Sequence, residues 1–581
     1  MSAKDLIAST LDEIARYLEL DGANSFKVRA FSRAAEAVRD IDEEIDRLIE
    51  SGEIDRVDGI GPKTAEVVRE IAATGESTYL EDLRSRFPAG LLDLEGIPGL
   101  GLKKIRILWQ QLEISSLEDL DEAIRKGELA ALPGLGAGTQ KRIAEGLRAR
   151  KRDAGRILLS KALEIANRIV RDLEGLGSIE KVEISGALRR RLEIAGEIQI
   201  VVAAEKAVVA AREIVDLDLP ERFEAVGDHR LVGRSIHNLP VEILLVERDR
   251  YALTLLISTG TDEFVTAFLG LARDNGLDIA LDGMRKRRKR VVAADEADLF
   301  EMAGVPWIPP ELRENDAEIG RESRAGLVEP ADLRGTFHVH TTWSDGRSTL
   351  REMLGHAAEL GLEYVGISDH SRSAGYARGL SVERVEQQLA EIAAIENDFP
   401  SLRIFRGTEC DILADGSLDY DEKTLARFDF VVASVHSGFT MTFDEMTERI
   451  VRAIQNPFVT FIGHLTGRKL LLREGYRVHY DRIFDEAARH GVMIEINGHP
   501  RRLDLDWRLM QQALDAGVRL SIHPDAHARN EYAHLLTGVW AARKGRVPVE
   551  SIFNTRGVRD VEEALRGRRQ RAIECRQAAK S

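Results

Sequence analysis

The spacing of apolar residues divides the chain into segments of different character. Across residues 1–150, apolar positions recur at intervals of three and four between glycine-containing turns, which predicts short amphipathic helices and no strands. From about residue 157 to 300 the pattern is mixed, because a helical segment precedes β-rich runs such as KVEISGAL, EIQIVVAAE and VEILLVE. We therefore expect an all-helical region followed by an α/β unit.

Apolar strands alternate with amphipathic helices in the C-terminal part of the chain. The seven predicted strands are TFHVH, EYVGISDH, RIFRGTE, FDFVVASVH, VTFIGH, VMIEING and RLSIHPDAH. Such alternation predicts a parallel sheet or closed barrel, with active-site residues at the carboxyl ends of the strands. The stretch before it clusters prolines and lacks apolar periodicity, which indicates a linker. The predicted segments are therefore 1–150, 151–315, the linker 316–335, and 336–575.

The composition is that of a globular protein with several domains. The chain has 581 residues, 44% of them hydrophobic and 31% charged, so we expect roughly three to four domains. Two cysteines and the absence of a membrane-length apolar run favour a reducing, cytoplasmic location. The net charge of −16 argues against coating nucleic acid through a global basic field. One basic run, RKRRKR at 285–290, is a candidate phosphate contact, with a solvated hairpin tip as the alternative.

Histidines and carboxylates follow the predicted strands of the C-terminal segment. His338 and His340 are two apart on the first strand, so both imidazoles are expected to point to one face. The further candidates at later strand ends or adjoining turns are Asp345, His370, Glu409, His436, His464, Asp525 and His527. Imidazoles and carboxylates without thiolates suit Zn, Mn or Fe. A lone histidine at a strand end is usually packed or hydrogen-bonded, but nine such groups in one barrel mouth would be costly without cations.

Clustered divalent ions would activate a water molecule and neutralise phosphoryl oxygens, so the expected reaction is phosphoester hydrolysis. Arg468, after the fifth strand, and Arg502, in HPRRLDLDW, are candidates for holding the substrate phosphate. An arginine at a barrel mouth is also often solvated or ion-paired, so both assignments are hypotheses.

Three Gly-x-Gly turns recur in the helical region, and each precedes a helix. Their glycines are Gly59 and Gly61, Gly99 and Gly101, and Gly134 and Gly136. The basic residues that follow are Lys63, Lys103, Lys104, Lys141 and Arg142. Glycine lets the backbone approach a phosphate, and helix-initial N–H groups point toward it. One such turn can simply join two packed helices, but three favour helix-hairpin-helix binding to the DNA backbone.

The segments HVHTTWSDG, GISDHS, GTECDIL, VASVHS, IGHLTGR and HPDAH resemble the PHP (polymerase and histidinol phosphatase) family of metal-dependent phosphoesterases. The resemblance implies a distorted (β/α)7 barrel that binds three metal ions. It assigns His338, His340, Glu409 and Asp525 to one ion; Glu409, His436 and His464 to a second; and Asp345, His370 and His527 to a third. Asp369 would support this catalytic centre from outside the ligand set.

Residues from about 5 to 315 resemble family-X DNA polymerases of the bacterial kind, through FKVRAFSRAAEAV, SGALRRRLEIAGEIQIVV and GVPWIPPELRE. The resemblance implies a multidomain chain: a helix-hairpin-helix front end, an α+β nucleotidyltransferase-like palm and thumb, and the barrel. In bacterial members the PHP domain supplies 3′-5′ exonuclease and, in some, abasic-site endonuclease activity. The implied partner is gapped, abasic or 3′-ended DNA, and we expect a monomer.

The polymerase signature of that family is altered here. Ala187 replaces a serine, Glu197 and Gln199 replace two aspartates, and Glu242 occupies the position of the third. Magnesium demands near-ideal geometry and charge, so this set is not expected to hold two magnesium ions. Other nucleotide-contact positions are also changed, and these are Ile257, Ser258 and Val265.

The sequence therefore predicts a DNA-repair enzyme whose barrel cleaves phosphodiester bonds, as a 3′-5′ exonuclease, an abasic-site endonuclease or both, with polymerase activity lost. Three alternatives stay open: an active polymerase with proofreading, a non-catalytic protein that binds DNA ends, and a small-molecule phosphatase. The complete ligand set argues against the second alternative, and the three hairpins argue against the third.

Overall fold

A computed structural model describes residues 3–580 apart from 42–44, 58, 89, 98, 133, 154, 218–220, 236–237, 281–282 and 321–325. The chain forms two compact units, Met1–Ala154 and Gly155–Ser581. None of the described helices is both long and apolar enough to cross a membrane.

The first unit is helical throughout its described residues. Its helices are α1 (Ala3–Asp21), α2 (Ser25–Asp40), α3 (Ile45–Glu50), α4 (Pro62–Thr74), α5 (Thr78–Ser85), α6 (Leu102–Leu112), α7 (Leu117–Lys126) and α8 (Ala137–Arg152). Their apolar faces form two cores, one containing Leu11 and Phe31 and the other Leu94 and Ile105. The prediction of amphipathic helices without strands is confirmed for this region.

The second unit begins with a mixed α/β region that corresponds to the predicted palm. Its elements are β1 (Ile157–Leu158), α9 (Leu159–Glu174), β2 (Ile179–Ser185), α10 (Gly186–Arg189), β3 (Ile194–Ala195), β4 (Ile198–Ala204), α11 (Ala207–Val215), β5 (Glu224–Ala225), β6 (Arg230–Arg234) and β7 (Pro240–Val246). Five of the strands form a sheet of order β2-β4-β7-β6-β5, in which only the β4–β7 pair is parallel. Six of the seven β4 residues are buried, as expected for an apolar central strand.

A smaller region follows, which corresponds to the predicted thumb. It contains α12 (Tyr251–Thr259), α13 (Asp262–Asp274), β8 (Leu277–Ala280), β9 (Gly283–Lys286), β10 (Lys289–Val291) and α14 (Glu296–Ala303). Its three strands form an antiparallel sheet of order β10-β9-β8. Phe264, Phe268 and Phe300 are buried at the centre of its core.

The remainder of the second unit is a parallel barrel. Its elements are β11 (Gly335–Val339), α15 (Leu350–Glu359), β12 (Tyr364–Ile367), α16 (Val382–Ile395), β13 (Arg403–Asp411), α17 (Glu422–Leu425), β14 (Phe430–Ser434), α18 (Phe443–Ile454), β15 (Phe461–Ile462), α19 (Tyr480–His490), β16 (Met493–Asn497), α20 (Trp507–Asp515), β17 (Leu520–His523), α21 (His534–Lys544) and α22 (Val558–Lys580). The seven strands lie side by side in chain order. A parallel bridge between Val339 and Ala526 joins the first strand to the segment after the last. The predicted seven-stranded parallel barrel is confirmed.

The described parts of the predicted linker pack against the barrel. Glu318 is buried and pairs with Arg546, Val328 is fully buried, and Leu327 forms a β-bridge with Pro548. Residues 321–325 of this segment lie outside the described residues. The two sides of the segment are therefore a packed connection, because Val328 and Leu333 pack in the barrel core and Ile319 and Leu327 pack against the thumb core.

Lys544, at the end of α21, joins the barrel to the palm and thumb. Its ammonium group is buried, donates to the carbonyl oxygens of Arg190 at 2.9 Å and Glu311 at 3.3 Å, and pairs with the carboxylate of Glu314. It also lies 4.7 Å from the ring centre of Trp507. A single buried cation thus ties three segments of the second unit together.

We predict that Lys544→Ala destabilises the second unit by about 3 kcal/mol, because two carbonyls lose their buried cation and Glu314 keeps only Arg190 as a partner. Calorimetric unfolding should show a lower midpoint for the transition of this unit. The control is Lys161→Ala, which removes an exposed pair with Glu164 and should change stability by less than about 0.5 kcal/mol. Equal midpoints for the two variants would contradict the assigned role of Lys544.

Candidate metal centre

The nine predicted ligands all lie together at the carboxyl end of the barrel strands. The strand bounds differ in part from the sequence-based placement, because β11 ends at Val339 and His340 directly follows it. Glu409 lies within β13, which continues to Asp411, and β17 ends at His523, so Asp525 and His527 belong to the following loop. The strand β11 is also irregular at the site, where His338 has a φ of 62°. Both His338 and His340 nevertheless point into the same cluster.

The carboxylate of Glu409 is the centre of the cluster. It is buried, and five imidazoles surround it. The nearest nitrogens of His338, His340, His370, His436 and His464 lie 3.3, 3.6, 2.9, 3.2 and 3.0 Å from its oxygens. Burial alone would raise the pKa of Glu409, but the neighbouring His436, His338 and His370 hold that pKa well below its usual range. Glu409 is therefore an ionised carboxylate, the form that binds cations.

Two further carboxylates complete the cluster. Oδ1 of Asp525 lies 3.5 Å from Nε2 of both His338 and His340. Oδ1 of Asp345 lies 3.5 Å from Nε2 of His370 and 3.4 Å from Nε2 of His527. Each carboxylate thus lies between two imidazole nitrogens.

Several of the buried nitrogens make no hydrogen bond of acceptable geometry, even where a carboxylate oxygen lies close, as that of Glu409 does to Nδ1 of His370. They are Nε2 of His338, both ring nitrogens of His340, Nδ1 of His370 and Nδ1 of His464. Burial holds the pKa of His340 at about 3 and that of His464 at about 4, so both rings are neutral with a free lone pair. Unsatisfied buried polar atoms are costly. Imidazole nitrogens facing ionised carboxylates are a donor set that fits divalent metal ions.

The geometry groups the ligands in part as the resemblance implied, and His436 forms a group with Glu409 and His370. Asp345, His370 and His527 come together, with His340 as a fourth member. His338, His340 and Glu409 also form one group. His464, assigned by the resemblance to the same ion as His436, lies with His338 and Asp525 in a further group. The assignment of each ligand to a particular ion stays a prediction.

Sequence reasoning missed Glu495 and His523, which lie beneath the cluster. Glu495 accepts hydrogen bonds from Nδ1 of His338 and from the backbone N–H of His464, and its Oε1 lies 3.1 Å from Nδ1 of His523. It thereby orients two of the metal-ligand candidates. The available signal was a glutamate in the apolar strand VMIEING, since a buried charge requires partners.

Asp369 is buried behind the cluster, and its backbone carbonyl oxygen accepts a hydrogen bond from the N–H of Glu409 at 3.2 Å. It accepts hydrogen bonds from the backbone N–H and hydroxyl groups of Thr341 and Ser344, and from the amide of Gln388. These bonds fix the turn that carries Asp345. Asp369 is thus positioned to support the site from outside the ligand set.

A cleft of about 420 Å³ opens onto the cluster. Its cationic lining consists of Arg347, Lys469, Arg473, Arg501 and Arg502. Arg502, a predicted phosphate ligand, lies in this cleft with Nε 3.2 Å from Asp525. Arg468, the other predicted ligand, lies outside the cleft lining. Its guanidinium pairs with Asp506 and Glu193 and donates to the carbonyls of Arg502 and Leu503, so it serves the contact with the palm.

The three Gly-x-Gly turns of the first unit have a backbone conformation that agrees with the predicted helix-hairpin-helix motifs. Gly59, Gly99 and Gly134 have positive φ of 92°, 97° and 77°. Gly61 and Gly101 are the N-caps of α4 and α6, and Gly136 directly precedes α8. At each of these last three glycines a Cβ would meet open space. Lys63, Lys103 and Lys141 are exposed and lie within the first five residues of α4, α6 and α8, respectively.

The altered polymerase signature lies in the palm. Parallel pairing of β4 with β7 places Gln199 beside Glu242, and the amide of Gln199 donates to Glu242 at 3.0 Å. The other oxygen of Glu242 pairs with Arg230. Glu197 is exposed, and Ala187 is half-buried in α10. Among the described residues, all clusters of three or more metal-binding side chains lie in the barrel.

Family models match the chain along most of its length. A helix-hairpin-helix domain matches residues 2–77, and a SAM-like helix-hairpin-helix tandem matches residues 91–149. The DNA polymerase beta thumb matches residues 254–314, and the PHP domain matches residues 336–499.

Two kinds of curated relative match the chain. "Probable phosphatase" proteins from Photobacterium profundum and Acetivibrio thermocellus are 28% and 26% identical, over 41% and 40% of this chain and 95% of each relative. The "DNA polymerase/3′-5′ exonuclease PolX" of Bacillus subtilis is 34% identical over 97% of this chain and 100% of the relative. Because that similarity spans the helical unit, the palm, the thumb and the barrel, the chain belongs to the PolX family of DNA polymerase/3′-5′ exonucleases.

Proposed function

We propose that the barrel of this protein is a metal-dependent nuclease that removes nucleotides from DNA 3′ ends, and that the palm no longer polymerises. The observation that carries the first part is the buried cluster around Glu409, whose unpartnered imidazole nitrogens face ionised carboxylates. The chain's membership of the PolX family and its helix-hairpin-helix matches support DNA as the substrate. Cleavage at abasic sites and a monomeric state stay predictions.

The proposed metal ligands are the nine residues of the cluster, namely His338, His340, Asp345, His370, Glu409, His436, His464, Asp525 and His527. Divalent ions held there would lower the pKa of a bound water and offset negative charge on the phosphoryl oxygens. The donor set suits Mn, Zn or Fe, and up to three ions are proposed.

The chain's own cations would hold and orient the DNA backbone in the cleft. Lys469 and Arg473 line the cleft close to Arg502, and burial and these like charges lower the pKa values of Lys469 and Arg473. A phosphate bound there would relieve the repulsion among the three cations. Arg502 also contacts Asp525, so a phosphate that it holds would be presented directly to the cluster.

The second part of the proposal rests on the pairing of Glu242. Two neighbouring carboxylates at these positions would repel each other and need magnesium. Here the amide of Gln199 and the guanidinium of Arg230 are both bonded to the one carboxylate of Glu242. This local network is neutral overall, so it offers little attraction to a divalent cation. The palm would then act as a scaffold that holds the barrel and the thumb.

We predict that the His338→Ala, His340→Ala double variant cleaves DNA at least about 1,000-fold more slowly in Mn²⁺. Loss of the metal removes several kcal/mol of charge stabilisation from the transition state. The assay uses 3′-labelled and abasic duplexes, with bound metal measured by mass spectrometry. The control is the His356→Ala, His479→Ala double variant, which removes two imidazoles paired with surface carboxylates on the same barrel.

The wild type and the control should cleave DNA at similar rates and retain metal, and circular dichroism should show that all variants are folded. No cleavage of any DNA by the metal-loaded wild type would contradict the nuclease proposal. Shortening of the 3′-labelled strand without incision at the abasic site would identify the exonuclease as the working activity.

We predict no primer extension with dNTPs in Mg²⁺ or Mn²⁺, because Gln199 and Arg230 occupy the oxygens of Glu242. The measurement uses the His338→Ala, His340→Ala variant, so that nuclease activity cannot degrade an extended primer. Template-dependent extension by this variant would show that the palm is an active polymerase.

A further inference from the structure

The hairpin of β9 and β10 concentrates positive charge on the thumb of an acidic protein. Its sequence from 285 to 290 is RKRRKR, in a chain with a net charge of −16. The strands pair with Lys286 opposite Lys289 and Arg285 opposite Arg290. Only Arg287 and Arg288 lie between them, so the connection is a two-residue turn.

This turn requires a backbone that arginine adopts poorly. Arg287 has a φ of 51° and Arg288 a φ of 69°. Positive φ at both central positions is the requirement of a type I′ turn, for which Asn-Gly and Asp-Gly are strongly preferred. Side chains with a Cβ are strained in this region. The two arginines are therefore unfavourable for the local fold.

The strands of the hairpin carry a second cost. Both cross-strand pairs next to the turn join like charges, Lys286 with Lys289 and Arg285 with Arg290. Like charges directly opposite each other destabilise an antiparallel pair. The hairpin thus combines a strained turn with repulsive pairs.

Intramolecular contacts offset only part of this charge. Arg290 pairs with Asp249 at 2.9 Å, and the ammonium group of Lys286 donates to the carbonyl oxygen of Met302. Arg287, Arg288 and Lys289 are exposed, and no carboxylate of a described residue lies within 4 Å of their charged groups. Three cations at the tip of the hairpin are thus open to an external anion.

We propose that the tip of this hairpin is a binding site for the phosphate backbone of duplex DNA, and this rests on DNA being the substrate of the protein. Duplex DNA presents two strands of phosphates to a compact group of cations. Single-strand binding normally adds aromatic side chains that stack on bases, and the described hairpin residues 283–291 include none. The binding energy compensates for the strain and repulsion in the free hairpin.

The test compares two double variants of the full-length chain. Arg287→Gln with Arg288→Gln removes the charges but keeps side chains in the strained turn. Arg287→Asn with Arg288→Gly removes the same charges and supplies the preferred turn residues. The control, Arg351→Gln with Arg427→Gln, makes the same change in net charge at exposed arginines of the barrel. Binding to a fluorescent duplex is measured by anisotropy between 50 and 300 mM salt, without divalent metal.

We expect both hairpin variants to bind duplex DNA at least about tenfold more weakly at 50 mM salt, with a slope of log affinity against log salt shallower by about 1.8. The control should keep the wild-type slope. The Asn-Gly variant should also unfold at a higher temperature than the Gln-Gln variant, because the turn strain is removed.

Wild-type duplex binding by the hairpin variants would overturn the proposal, and so would a loss confined to a single-stranded probe. Weaker binding with an unchanged salt slope would also overturn it, because it would indicate an indirect structural effect. Since metal-free binding does not require cleavage, failure of the nuclease proposal in the cleavage assay would leave this result interpretable.

Discussion

The functional end of the barrel depends on one buried carboxylate held among five imidazoles. Glu409 lies inside β13 and contacts histidines that follow the neighbouring strands on both sides. Such a concentration of buried polar groups is tolerated only when the groups neutralise each other or share a cation. The unpartnered nitrogens of His340 show that mutual hydrogen bonding leaves part of this demand unmet. Metal binding is the simplest way to satisfy it, and the parallel barrel supplies the rigid frame.

The rest of the second unit holds that frame in place. Lys544 joins the barrel to the backbone of Arg190 and to Glu314, while Arg468 and Arg508 pair with Glu193 of the palm. The contact with Lys544 uses the backbone carbonyl of Arg190, which lies in the palm segment SGALRRRL. The palm is therefore packed against the barrel, with Gln199 beside Glu242 in its sheet. This arrangement supports the proposed role of the palm as a scaffold for the barrel.

The sequence was most informative where local pattern and structure coincide. Apolar runs identified all seven barrel strands, and polar residues at or near their ends identified the nine clustered side chains. Glu495 was missed because it lies inside a strand and acts through His338, a contact across 157 positions. Arg468 was misplaced as a cleft candidate because its partner Glu193 lies 275 positions away. Contacts between distant segments, including the packing of Val328, leave no periodic signal in the sequence.

The most direct test of the account is the metal content of the barrel mouth. Purified protein would be stripped with a chelator, loaded with Mn²⁺ or Zn²⁺, dialysed, and analysed by mass spectrometry beside Glu409→Gln. Glu409→Gln keeps the shape of the side chain but removes the charge at the centre of the cluster. We predict more than one bound ion per wild-type chain and a clear loss in the variant. Less than one ion per wild-type chain, or equal content in both proteins, would contradict a metal centre built around Glu409.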